Sequence, residues 1–598
     1  MLDLAQLLRV PHVDPLFDIA PDNSKLAFAW NRSGEWQIYE IELPSSPLPS
    51  FPLGEGNLTQ LTFGNGGKFN PRYSPDGSRL AYVLDADGSE SYHLVVYDFA
   101  SQQHTDLTPG IPHALQPNFC WSPDGSQLAL LSDEAGHFSA YIVSAQGGKP
   151  RLVLDSGHPA WQVEWSPDGR HLAVSCEMHG QDYGIFIVDL ETREVIQLPL
   201  NAGEPHWSPQ GGKLAFQSDE RGWFDIGLYD LSTRQIEWVT QSEGDSHMPV
   251  FAPHTSPSVQ PSILAYTQSK GAVNWVETVS AEGTRKRLEV GKGVHGRIRL
   301  TSDAKRAVTA FNSPRQPSDL WMLDLESGES VQLTHSLPEE LRRAEFVLPE
   351  EIEYAGMDGA SVPALLFRPK QTPAAAVVMI HGGPNWHYAA EWNPVMAHLA
   401  SRGYAVLAPN YRGSTGYGRA WQYAARFDLG GVDADDIAAG AHYLLREGLA
   451  NKIAVTGRSH GGYLTMVCLT RFPELWCAGS ALVPFTNWFK SHEDSREDLQ
   501  HWNIENMGDP QEHYERWYHA SPYFFLERLR APVQMICGGR DRRCPASDSL
   551  AARDKLLELG KRVDFLLYEE EGHTFLKIEN VLDAETKRAA FLAQHLER

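Results

Sequence analysis

YSPDGSRLAY, running from Tyr73 to Tyr82, returns as WSPDGSQLAL from Trp121, WSPDGRHLAV from Trp165 and WSPQGGKLAF from Trp207. Weaker copies are IAPDNSKLAF from Ile19, FAPHTSPSVQPSILAY from Phe251 and LTSDAKRAVTAF from Leu300. Pro-Asp-Gly is turn chemistry: Pro presets φ, Asp bonds its own backbone, and Gly accepts φ > 0. The run that follows, such as Leu-Ala-Tyr, alternates and is rich in strand formers. A second strand signal comes later in each unit, as in HLVVYDF from His93 and YGIFIVDL from Tyr183. Leu-Thr closings recur at Leu61-Thr62, Leu107-Thr108 and Leu333-Thr334.

The copies are spaced by roughly 42 to 54 residues, the period of propeller blades. Such a unit holds about four short strands, which cannot bury both faces alone, and radial stacking of the sheets solves that problem. A β-sandwich series or a solenoid is the alternative for the same repeat. Counting the copies predicts a seven-bladed β-propeller, an all-β domain over residues 1–345.

Beyond residue 345 short strands give way to strands alternating with helical stretches. Ala375 to Ile380, Tyr404 to Ala408, Lys452 to Thr456, Pro532 to Cys537 and Val563 to Tyr568 are apolar runs of the kind buried in parallel sheets. Helical patterns over Trp392 to Ser401, Asp433 to Arg446, Ser547 to Leu559 and Leu582 to His595 separate them. The alternation predicts a doubly wound, mostly parallel sheet over residues 346–598, covered on both faces.

Acidic residues outnumber basic ones 76 to 51, a formal net charge of -25, which argues against nucleic acid as a partner. The six cysteines are scattered without zinc-ligand spacing, so a reducing, cytoplasmic location is expected. No run of about twenty apolar residues suggests a membrane span, and the first residues lack the pattern of a secretion signal.

Gly457-Arg-Ser459-His-Gly461 matches G-x-S-x-G directly after a predicted strand and before a helical run, the setting of a nucleophile elbow. A serine needs a positioned base to become a nucleophile. His573 and Asp541 each follow a later strand, and the order Ser459, Asp541, His573 is that of α/β-hydrolases. His573 is then the base and Asp541 the group that fixes its tautomer. Asp548 and Asp564 are competitors for the acid. His381-Gly-Gly-Pro384 follows another strand, and backbone N–H groups of Gly383 and His460 are the candidate oxyanion donors. Tyr463, Val483 and Trp488 are candidates for a hydrophobic substrate pocket, with plain core packing an equal alternative.

Taken together, HGGP (His381 to Pro384), NYRGSTGYG (Asn410 to Gly418), GRSHGGY (Gly457 to Tyr463), GGRDRRCP around Asp541 and EGHTF around His573 give the chain a resemblance to the prolyl oligopeptidase family of serine peptidases. Its acylaminoacyl-peptidase branch is the most similar. The resemblance implies hydrolysis of short peptides through an acyl-enzyme on Ser459, with the propeller filtering by size. It also implies no metal, no organic cofactor and a homo-oligomer. Carboxypeptidase, aminopeptidase and small-molecule esterase or amidase activities remain alternatives. The sequence departs from the family pattern at Cys537, where relatives often have His, at Cys544, where they often have Val, and at Thr574, where they often have Gly.

Overall fold

The computed structural model describes residues 1–44, 58–110, 113–253 and 263–597. Part of the Phe251 repeat, residues 254–262, lies outside them. The chain divides into two compact units, one of Met1–Val10, Asp87–Ser89 and Glu339–Arg598, the other of Pro11–Ala86 and Glu90–Pro338. The first residues thus belong with the C-terminal unit, not with the repeats that follow them. Leu4 and Leu7 of the helix Leu4–Leu8 are buried, Leu2 N donates to Ser401 Oγ (2.9 Å), and His398 Nδ1 lies 2.8 Å from Leu2 O.

Among the described residues the repeat unit holds seven four-stranded antiparallel sheets, one for each copy of the phrase, and forms a seven-bladed β-propeller. In the second blade the strands Gly67–Tyr73, Arg79–Asp85, Tyr92–Asp98 and Gln103–Asp106 lie side by side in chain order. The Ser-Pro-Asp-Gly phrase is the turn between the first two. Ser74 Oγ donates to Asp76 Oδ1 (2.6 Å), and Arg79 N donates back to Ser74 Oγ (3.0 Å). The same pair of bonds recurs at Ser122 and Asp124 and at Ser166 and Asp168. The left-handed position of the turn is Gly77 here (φ 70°) but Asn23 (φ 59°) and Ala304 (φ 54°) in the weaker copies. The Leu-Thr closings have a job too. Thr62, Thr108 and Thr334 accept at Oγ1 the N–H of Ile38 (2.8 Å), Leu94 (3.0 Å) and Leu320 (2.9 Å), stapling the end of one strand to the start of its neighbour.

Each blade is contiguous in sequence, so among the described residues no strand is shared between the first and the last. Side chains close the ring. Phe17, Phe28 and Trp30 of the first blade pack on Val308, Leu320 and Met322 of the seventh. Asn23 Nδ2 donates to Ser302 Oγ (2.7 Å), and Ser302 N donates to Asn23 Oδ1 (2.9 Å).

The C-terminal unit is built on one eight-stranded sheet. Across it run Glu350–Ala355, Ser361–Phe367, Ala405–Pro409, Ala374–Ile380, Ala450–Arg458, Ala478–Leu482, Val533–Gly538 and Val563–Tyr568. Only Ser361–Phe367 runs against the others. The central strands carry long apolar runs because helices cover both faces; Val377, Val378, Ala454 and Val455 are fully buried. This is the α/β-hydrolase architecture, and it sends the loops after Ile380, Arg458, Gly538 and Tyr568 to one edge of the sheet.

Candidate active site

The strand Ala450–Arg458 ends on Ser459, which holds φ 58° and ψ -123° before the helix His460–Arg471 begins. A non-glycine residue in that region is strained, and the strain is what lifts its hydroxyl clear of the sheet. The flanking glycines are required by space. A Cβ on Gly461 would sit 2.3 Å from Ile380 O, and one on Gly457 would sit 2.4 Å from Gly461 O. Strand, elbow and helix are packed backbone to backbone.

His573 follows the last strand of the sheet, and Asp541 follows the one before it. His573 Nε2 lies 3.0 Å from Ser459 Oγ, and His573 Nδ1 lies 2.8 Å from Asp541 Oδ2. The other carboxylate oxygen, Asp541 Oδ1, accepts the N–H groups of Arg543 and Cys544, each at 2.8 Å. The three side chains therefore form one hydrogen-bonded line. Both competing carboxylates are engaged elsewhere: Asp548 accepts from Thr486 N (2.5 Å) and Thr486 Oγ1 (3.0 Å), and Asp564 accepts from Gln534 Nε2 (2.8 Å).

The glycine loop lies against the elbow. A Cβ on Gly382 would be 3.4 Å from Ser459 Cβ, and Gly383 takes φ 119°. His381 anchors this loop, stacked on Tyr411 at 4.2 Å, with Nε2 2.8 Å from Ser414 Oγ and Nδ1 2.7 Å from Gly382 O. Burial pushes its pKa down to about 3, so it stays neutral. His460 opens the elbow helix, where its N–H is one of the donors that helix geometry leaves without an intrahelical partner. Its ring turns into the interior, 3.6 Å from Asp433 Oδ2 and 5.1 Å from the Tyr463 ring.

The expected substrate pocket needs correction. Tyr463, Val483 and Trp488 are at most 2% exposed. Tyr463 stacks on Phe485 at 4.6 Å and donates its hydroxyl to Ala520 O (2.8 Å), and Trp488 meets both rings edge-on. Tyr463 and Trp488 are core beneath the elbow helix, and Val483 packs with Leu482, Ile536 and Ala584.

Two supports were missed by the sequence reading. Arg458 Nη2 donates to His573 O (2.6 Å) and Thr574 Oγ1 (3.3 Å), tying the histidine loop to the elbow. Glu571, 1% exposed, accepts from Leu576 N, Lys577 N and Asn580 Nδ2 and so shapes the same loop. The x of G-x-S-x-G was the only signal for Arg458. Among the described residues, Asp541, Cys544 and His573 also present one metal-ligating atom each within 4.8 Å of one another.

Residues 388–598 match the prolyl oligopeptidase family, and residues 52–198 match a TolB β-propeller domain. The C-terminal part of the chain is by this match of the prolyl oligopeptidase family. Its members are serine peptidases. The uncharacterized peptidase YuxL of Bacillus subtilis is 25% identical, over 84% of this chain and 94% of its own. The acylamino-acid-releasing enzyme of Mus musculus is 24% identical, over 76% of this chain and 61% of its own. In fold the chain is similar to a puromycin-hydrolyzing peptidase of Mycobacterium tuberculosis, with a TM-score of 0.84 at 20% identity over 100% of this chain and 96% of that one. No helix among the described residues is long and apolar enough to cross a membrane.

Proposed function

We propose that this serine peptidase cleaves short peptides through an acyl-enzyme on Ser459, with acylaminoacyl-peptides or short oligopeptides as its substrates. The observation that carries the reading is the hydrogen-bonded line from Asp541 through His573 to Ser459. Ser459 Oγ attacks the carbonyl carbon as its proton passes to His573 Nε2. The N–H groups of Gly383 and His460 hold the oxyanion of the tetrahedral intermediate. The intermediate collapses, the C–N bond breaks, and the leaving amine takes the proton from His573. Water then repeats the sequence on the ester, giving the carboxylic acid and free Ser459. Asp541 keeps the Nδ1 proton in place and stabilises the imidazolium that forms between these steps.

The family likeness supports short peptides as substrates, with the propeller excluding larger ones, and a homo-oligomeric assembly. All six cysteines are unpaired, in line with a cytoplasmic enzyme. The test is one peptide series with free, acetylated and amidated ends, together with puromycin, read by mass spectrometry against Ser459→Ala. Release of a single blocked N-terminal residue identifies an acylaminoacyl-peptidase, and internal cuts identify an oligopeptidase. Trimming from a free end assigns the chain to the exopeptidases, and cleavage of puromycin alone to the small-molecule amidases. Equal turnover by Ser459→Ala overturns the proposal.

A further inference from the structure

Cys544 stands three residues after Asp541, on the loop that delivers the carboxylate to His573. Its side chain is buried, and its sulfur lies within 4.8 Å of a ring nitrogen of His573 and a carboxylate oxygen of Asp541. One sulfur, one imidazole nitrogen and one carboxylate oxygen, all within 4.8 Å of one another, make a donor set that Zn2+ and Cd2+ favour. A tetrahedral site with ligand bonds of about 2.0–2.3 Å places its donors about 3.3–3.7 Å apart, so side-chain adjustments alone gather these three. All three residues are at most 7% exposed, so a bound cation would be little screened by water.

We propose that Asp541, Cys544 and His573 form a binding site for a thiophilic divalent cation, and that its occupation switches the hydrolase off. The switching half rests on His573 being the base. Binding releases the thiol proton to solvent and leaves a cation–thiolate bond. A cation on His573 Nε2 takes the lone pair that faces Ser459. A cation on Nδ1 leaves the imidazole proton on Nε2, which then cannot accept from Ser459. Either mode blocks the attack. Fourth place in the coordination shell falls to water or to Ser459 Oγ, which lies 3.0 Å from Nε2. Valine at 544 would leave two donors, too few for such a site.

The test uses the full chain after chelator treatment, with Cd2+ as inhibitor and Co2+ as spectroscopic probe. Co2+ is added to the native protein, Ser459→Ala, Cys544→Val and Cys544→Ser. A thiolate-to-cobalt charge-transfer absorption is expected in the first two and not in the cysteine variants. Native hydrolysis should fall with Cd2+ and return with excess EDTA. Loss even of a group behind a ligand costs about 10- to 100-fold in metal affinity, so both cysteine variants, each compared with its own metal-free rate, should need more than about tenfold higher Cd2+. Cys544→Ser nearly keeps the side-chain volume and serves if Cys544→Val does not fold. Absence of the charge-transfer band in native protein overturns the site, as does equal Cd2+ sensitivity of the cysteine variants. Because Co2+ binding is read in Ser459→Ala, a protein that binds the cation but hydrolyses no peptide refutes the function and leaves the site standing.

Discussion

Replacing Asp541 by asparagine changes one atom, and the hydrogen bonds around it fix what that atom does. Oδ1 accepts two backbone N–H groups at 2.8 Å, from Arg543 and Cys544, while Oδ2 lies 2.8 Å from His573 Nδ1. An asparagine must keep its oxygen against the two amides, since an NH2 group there would strand buried donors at about 1–3 kcal/mol each. Its NH2 group therefore faces Nδ1, which must accept. A neutral imidazole that accepts at Nδ1 carries its proton on Nε2 and presents an N–H to Ser459 Oγ, the reverse of what a base needs. Reaching the productive tautomer means stranding both amides, about 2–6 kcal/mol. It also means doing without the charge-assisted bond to the imidazolium, about 1.5–3 kcal/mol. Together these correspond to a loss of about 4 × 10² to 4 × 10⁶ in kcat/KM, and the same replacement in the Ser-His-Asp template costs about 10⁴. The assay is kcat/KM on a cleaved peptide at neutral pH, with circular dichroism to establish an unchanged fold. A folded Asp541→Asn within tenfold of wild type would refute the assignment of Asp541 as the orienting acid.

Arg458→Gln should lower kcat about 10- to 100-fold, because the bond that holds the His573 carbonyl is lost and small misplacements of a base cost that much; an unchanged kcat removes Arg458 from a positioning role. Trp30, 2% exposed and bonded through Nε1 to Ser336 Oγ at 3.1 Å, should cost about 3–5 kcal/mol when replaced by alanine. Because among the described residues no strand ties the first blade to the last, amide exchange should rise first in those two, and a uniform rise over all seven would contradict closure by side chains. Asp548 is buried, and its pKa is pushed from 3.8 up to about 7, so the folded state holds its proton more tightly than the unfolded one. The stability it contributes is present below about pH 4 and is lost as pH rises to 7, about 4 kcal/mol in all. Melting temperatures of Asp548→Asn relative to wild type should therefore climb between pH 4 and 7; a constant difference would show that Asp548 does not titrate there.

What could be read from the sequence is what short-range chemistry writes into it. Ser-Pro-Asp-Gly announces a turn because Ser74, Asp76 and Arg79 complete its hydrogen bonds within six residues, and the phrase stayed legible even where Ala304 replaces the glycine. Seven copies then dictate seven sheets. The apolar runs Val563 to Tyr568 and Ala375 to Ile380 announce parallel strands for the same reason. The elbow was legible through Gly457 and Gly461, although the sequence does not say that Ile380 O and Gly461 O are the atoms that exclude a Cβ. Long-range partners were not legible. Arg458 meets His573 across 115 positions, and an arginine inside G-x-S-x-G looks like any surface charge. Tyr463, Val483 and Trp488 left pocket and core equally open, because an apolar side chain beside an elbow has the same pattern whether it faces a cleft or the core. Helix Leu4–Leu8 was placed with the wrong unit because its apolar face does not name its partner. Cys544 lies between these cases. A cysteine where relatives often have Val was visible as a departure from the family pattern, but only the fold, by carrying His573 in from another strand, turns that departure into a third donor beside two others. A substitution inside a short motif gains its meaning from residues that the motif does not contain.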